Sequence, residues 1–145
     1  MFTNDDLAKA MIHTIEVADR ASTPFAAILL DKNGKVVLDA VNTSTKDGPL
    51  AHAEMNLLHQ AIKMKLNLEE MCLVSTCEPC PMCMGAIVWS KISRCVYGVS
   101  IEIASKYMNQ IHINARDIAA ASFTKVKLIE KIHFNKALTL FQKYG

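Results

Sequence analysis

The stretch TCEPCPMC, residues 76–83, sets cysteines at 77, 80 and 83, two residues between each and the next. That spacing opens a ferredoxin cluster motif, contains a zinc-binding pair, and also suits two metal ligands beside a bystander. A ferredoxin run would need another cysteine four positions beyond Cys83, followed by proline, but Ile87 and Val88 stand there and no second cysteine group exists. Cys80 and Cys83 lie at i and i+3 around the start of a helix expected from Pro81 to about Lys91. Both sulfurs therefore share one face, at the helix end that favours thiolates. His52 offers a third ligand of a type zinc accepts, which leaves the fourth position to water. A structural zinc site would close that position with another thiol. Cys72 and Cys95 sit in expected strands, where a buried inert thiol is the ordinary case, and Cys77 could close the site only through a tight chain reversal. The pattern thus gives two metal-binding cysteines, with Cys77 lining or packing beside the site.

Outward from this stretch, helix and strand signals alternate. NDDLAKAMIHTIEVADRAS (4–22) carries Leu7, Met11, Ile15 and Ala18 near helical spacing behind Thr3 or Asn4 as cap. FAAILLDKNGKVVLDAVN (25–42) is two apolar runs about Asn33-Gly34, a hairpin signal. TSTKDGPL (43–50) is a loop, and AHAEMNLLHQAIKMK (51–65) a helix behind Pro49. MCLVST (71–76) and RCVYGV (94–99) are strands around the apolar helix that follows the cysteines. SIEIASKYMNQ and NARDIAAAS are short helices, TKVKLIEKI (124–132) an edge strand, and FNKALTLFQKY (134–144) a closing helix. The order predicts a three-layer α/β/α unit over residues 1–145, with a mixed five-stranded sheet. Ligand sites in such sheets gather beyond the carboxyl ends of strands, so the junctions bearing AHAE and CEPCPMC are expected to face one another.

Composition bounds what the chain does. It has 145 residues, of which 51% are hydrophobic and 21% charged, a soluble balance sufficient for one core. The apolar runs are too short to span a bilayer, and MFTNDDLAKA lacks the features of a signal peptide, so a cytoplasmic protein without membrane partners is expected. Five cysteines, an odd number, argue against a disulfide framework. The net charge of +2 implies no nucleic acid by itself. Lysines 125, 127, 131, 136 and 143, interspersed with Glu130, read as a solvated face, with contact to RNA as the other reading.

Glu54, two residues after His52, can reach metal-bound water without ligating and so act as its proton acceptor. HAE followed by PCPMC resembles the H-x-E…P-C-x-x-C signature of the zinc nucleoside and nucleobase deaminases of the cytidine deaminase superfamily. The resemblance implies a cytidine-deaminase-like fold, one zinc held by His52, Cys80 and Cys83, and Glu54 as proton shuttle. It also implies a small-molecule base or nucleoside as substrate and a homodimer. Asn42 matches the position at which relatives hydrogen-bond their substrate. Phe25, Ala53 and Trp89 are further candidate substrate contacts, Trp89 having core packing as its alternative. The C-terminal LFQKYG either closes over the site or forms an ordinary docked helix.

TCEPCPMCMGAIVWSKI is similar to the guanine deaminase branch, and much of the motif is shared with the bacterial tRNA adenosine deaminases. GVSIEIASKYMNQIHI (98–113) departs from the segment each branch carries there. Deamination of an amino-substituted purine or pyrimidine, guanine first, is the leading expectation. tRNA editing and a non-catalytic zinc-stabilised module are the alternatives.

Overall fold

The computed structural model describes residues 2–145. Seven helices and five strands follow in chain order: α1 (Asn4–Arg20), β1 (Ala26–Leu30), β2 (Val36–Val41), α2 (Ser44–Asp47), α3 (Ala53–Lys63), β3 (Cys72–Cys77), α4 (Pro81–Trp89), β4 (Arg94–Val99), α5 (Ile101–Ala104), α6 (Ala115–Ala120), β5 (Lys127–Ile129) and α7 (Phe134–Tyr144). The strands form one sheet in the order β2-β1-β3-β4-β5. β1 runs antiparallel to both β2 and β3, whereas β4 is parallel to β3 and to β5, so the sheet is mixed as expected.

The local chemistry explains the element ends. Thr3 caps α1 in a reciprocal capping box: its hydroxyl accepts from the Asp6 N–H, and the Asp6 carboxylate accepts from the Thr3 N–H. At the hairpin the Asp31 carboxylate accepts from the Asn33 and Lys35 N–H groups, and Gly34 takes the positive φ of 81°. Two expectations are corrected. TSTKDGPL contains the single-turn helix α2, held by Lys46 and Asp47 N–H groups on the Thr43 carbonyl. The edge strand β5 is only three residues long, which leaves little open edge for pairing with another chain.

Side chains alternate across the sheet, and each face is covered. Ala27, Leu29 and Leu73 meet Leu57, Leu58 and Ala61 of α3 and Met84 and Ile87 of α4. On the opposite face Ile28, Leu30, Val74 and Val96 meet Leu7, Ala10 and Met11 of α1. α7 docks beside α1 through Ala137, Leu140 and Phe141. The C-terminal segment is therefore an ordinary docked helix. Its approach requires Gly98 in β4: a Cβ there would lie 2.8 Å from that of Ala137 and 3.0 Å from the Thr76 carbonyl oxygen. Among the described residues no helix is long and apolar enough to cross a membrane.

Candidate active site

Two helix starts converge beyond the carboxyl ends of the central strands. His52 is the N-cap of α3 and Cys80 the N-cap of α4, with Pro81 pre-set for the first helical position. The α3 helix begins at Ala53 and not directly behind Pro49, because residues 43–51, which include α2, form a closed excursion of the chain before it. The Thr43 N–H donates to the Ala51 carbonyl, and Asn56 Nδ2 donates to the Val41 carbonyl and Thr43 Oγ1 at 2.9 Å each. Asn56, whose role the sequence alone did not reveal, thereby fixes the loop that delivers His52.

His52 Nδ1 lies 3.6 Å from Cys80 Sγ and 3.6 Å from Cys83 Sγ. Tetrahedral zinc, with bonds of about 2.3 Å to sulfur and about 2.0 Å to nitrogen, places such atoms about 3.5 Å apart. The three donors, all within 4.8 Å of one another, thus fit zinc in both type and spacing. The electrostatics agree. The Cys80 thiol falls to about 4, chiefly through its hydrogen bond with Cys83 and further through His52. The Cys83 thiol rises as the other half of that pair, and the hydrogen bond with Cys80 raises His52. One thiolate is therefore already favoured at Cys80, at the N-terminus of α4.

The other thiols behave differently. Burial pushes Cys72 up to about 12 and raises Cys77 and Cys95 well above the ordinary thiol value. They are neutral packing residues. Glu54 is buried at 6% exposure, and desolvation lifts its carboxyl to about 7. A carboxyl poised near neutrality can both accept and return a proton.

His52, Glu54 and Cys80 line a cavity of about 140 Å³ together with Phe25, Asn42, Ala53, Cys77, Glu78 and the run Met108–Gln110, whereas Cys83 is fully buried beside them. Asn42 Oδ1 is occupied, accepting from the Ser44 N–H at 2.9 Å and from the Ser44 hydroxyl at 2.8 Å, which leaves its Nδ2 donor for a ligand. Phe25 packs edge-on against Phe141, ring centroids 5.5 Å apart. Thr76 Oγ1, donating to the Pro24 carbonyl and accepting from the Ala26 N–H, anchors the chain on both sides of Phe25. Phe25, Asn42 and Ala53 are thus brought to the cavity with His52, Cys80 and Glu54.

Trp89 is not. It is 76% exposed at the end of α4, where it meets Phe123 at 4.9 Å between ring centroids, and lies neither in the core nor in the cavity wall. The nine-residue α4 is apolar on all sides, so its sequence carries no stripe to tell the buried face from the exposed one. Glu78 and Met108–Gln110 also went unrecognised in the sequence. They come to the site through contacts and chain paths that no local motif records.

Residues 4–99 match the cytidine and deoxycytidylate deaminase zinc-binding region. A probable cytosine deaminase of Schizosaccharomyces pombe is 31% identical over 129 residues, covering 85% of this chain and 80% of the relative. The guanine deaminase of Bacillus subtilis is 36% identical over 77 residues, covering 51% of this chain and 49% of the relative. tRNA-specific adenosine deaminases are also among the relatives. The solved guanine deaminase of Nitrosomonas europaea superposes with a TM-score of 0.80 over 94% of this chain and 83% of its own, at 21% identity, a likeness of fold. With the matched region spanning every metal donor and Glu54, the chain belongs to the cytidine and deoxycytidylate deaminase family of zinc-dependent hydrolases acting on nucleobases or nucleosides.

Proposed function

We propose that the chain is a single deaminase domain that hydrolyses the exocyclic amino group of a purine or pyrimidine base, guanine being the leading candidate. The observation that carries this reading is the buried Glu54 carboxylate at the wall of the small cavity that His52 and Cys80 also line, with the fully buried Cys83 completing their donor triangle. Bound zinc would supply Lewis acidity, lowering the pKa of a coordinated water to about 7. Glu54 accepts the proton from the water that attacks the amino-bearing carbon and delivers it to the adjacent ring nitrogen. It then transfers the second proton to the amino group, which leaves as ammonia while the carbonyl forms. Asn42 Nδ2 donates to the ring, and Phe25 and Ala53 confine its plane. The cavity is smaller than the roughly 300 Å³ at which drug-sized pockets begin, which suits one ring and leaves any sugar at the mouth.

The similarity of sequence to the Bacillus subtilis guanine deaminase favours guanine. That to the tRNA-specific enzymes supports a second reading, in which the ring is a base flipped out of an RNA. Ammonia release across guanine, cytosine, adenine, their nucleosides and a tRNA tests both. Guanine is expected to turn over fastest. Release from tRNA alone would replace the first reading with the second, and a zinc-loaded protein that releases none would be a binding module.

We also infer a homodimer formed through the exposed end of α4. Trp89, Phe123 and Ile113 leave 76%, 61% and 48% of their surfaces open and border one groove, an apolar patch of the kind that marks association. Trp89→Glu is expected to halve the mass measured by light scattering without altering the circular dichroism. An unchanged mass would place the interface elsewhere, and a wild type that is itself monomeric would remove the dimer.

A further inference from the structure

Glu78 follows the last residue of β3 and precedes the loop that presents Cys80, yet it ligates nothing. Its side chain is buried at 5% exposure, and its two carboxylate oxygens are used separately. Oε1 accepts from the Ile101 N–H at 3.0 Å, and Oε2 accepts from the Ala115 N–H at 2.7 Å. Its own N–H donates to the Val99 carbonyl at 2.7 Å. Ile101 opens α5 and Ala115 opens α6, so one carboxylate holds both ends of the segment 101–115.

The middle of that segment supplies a wall of the cavity, through Met108, Asn109 and Gln110. Beyond Met108, whose N–H donates to the Ala104 carbonyl and whose side chain packs against the α7 cluster, little else within the protomer holds it. Ile101, Ala104 and Ala115 are buried, whereas Asn109 and residues 111–114 are exposed. Among the described residues, 109–113 make one backbone hydrogen bond, from Ile113 to Ile111. Short chains fixed at their ends and weakly bonded between take their path from the anchors. The wall is thereby referred to the same loop that places the metal ligands.

We propose that Glu78 is a positioning residue: by bridging Ile101 and Ala115 it fixes the Met108–Gln110 wall against the metal-bearing loop and so sets which ring the cavity accepts. This role rests on the cavity being the site that receives the base. Glutamine in place of Glu78 keeps the shape but sets an NH₂ group against one of two N–H donors, so one of the two bonds is lost and a donor is left buried.

Glu78→Gln is expected to keep one zinc per chain and a kcat within about threefold of the wild type, while KM for the best base rises roughly tenfold or more. Hydrogen exchange, measured by mass spectrometry on zinc-loaded protein, should speed up at least about tenfold over residues 101–115 and stay unchanged over α3. Ala115→Pro offers an independent variant. Proline suits a first helical position after the extended Asn114, and it deletes only the donor to Oε2, so the same direction of change is expected. Unchanged exchange in either folded variant would overturn the clamp. Faster exchange with unchanged KM and unchanged ranking of bases would overturn the role of the wall. A wild type that binds zinc but deaminates no base would refute the functional reading and with it the selection of a ring, whereas the clamp would still stand or fall by exchange.

Discussion

Glu54→Ala protein is expected to bind one zinc per chain, to fold normally, and to lose at least about 10³-fold in kcat for the best substrate, or about 4 kcal/mol of barrier. The size follows from the double use of one carboxylate. General acid-base assistance is usually worth about 10²- to 10⁴-fold, and in the proposed mechanism a single group serves both the attack of water and the departure of ammonia, with no second carboxylate in the donor triangle among the described residues to replace it. Glu78, the other acid at the cavity, has both oxygens committed to backbone donors. Retention of the fold follows from burial, since removing a carboxyl held at 6% exposure also removes its desolvation cost. Zinc and ammonia are to be measured on one sample. A zinc-loaded variant retaining a tenth of the wild-type rate would refute the shuttle.

The candidate site is legible in the sequence because it is local. His52 and Glu54 lie about one helix start, and Cys80 and Cys83 about another, so spacing along the chain fixes most of their relative placement. The Asn33-Gly34 turn, a cap for α1 at Thr3 or Asn4 and the strands flanking α4 are legible for the same reason. What escapes is whatever depends on distant backbone. Glu78 bonds N–H groups 23 and 37 residues away, and a backbone donor carries no residue type by which it could be recognised. Asn56 is hidden likewise, since two of its three acceptors are main-chain carbonyls. Trp89 shows a different failure: in a helix with no polar side, composition says that it is buried somewhere but not which face turns outward. α2 and the brevity of β5 are matters of a single turn or a few ladder bonds, below what apolar periodicity resolves.

The division of labour among the three thiols at 77, 80 and 83 gives the second large effect. Cys80→Ala is expected to carry less than about a tenth of a zinc per chain after dialysis, because removing one of three protein donors takes away a substantial share of a binding energy that reaches about 10 kcal/mol or more in structural zinc sites. Cys83→Ala should behave alike, and both should show no deamination above background. Cys77→Ala should keep its zinc. It belongs to the buried cluster of Val17, Ala26, Val99 and Phe141, and burial holds it as a neutral thiol, whereas Cys80 is readily ionised. Losing that sulfur removes packing alone, at a cost on the order of 1 kcal/mol, visible as a drop of several degrees in Tm. Because Cys77 also borders the cavity, a modest rise in KM is compatible with this role, but a loss of metal is not. Elemental analysis of the three variants beside the wild type separates the cases. Zinc missing from Cys77→Ala, or present in full in Cys80→Ala, would mean that the ion is held by a different pair of sulfurs from the one facing His52 Nδ1 at 3.6 Å.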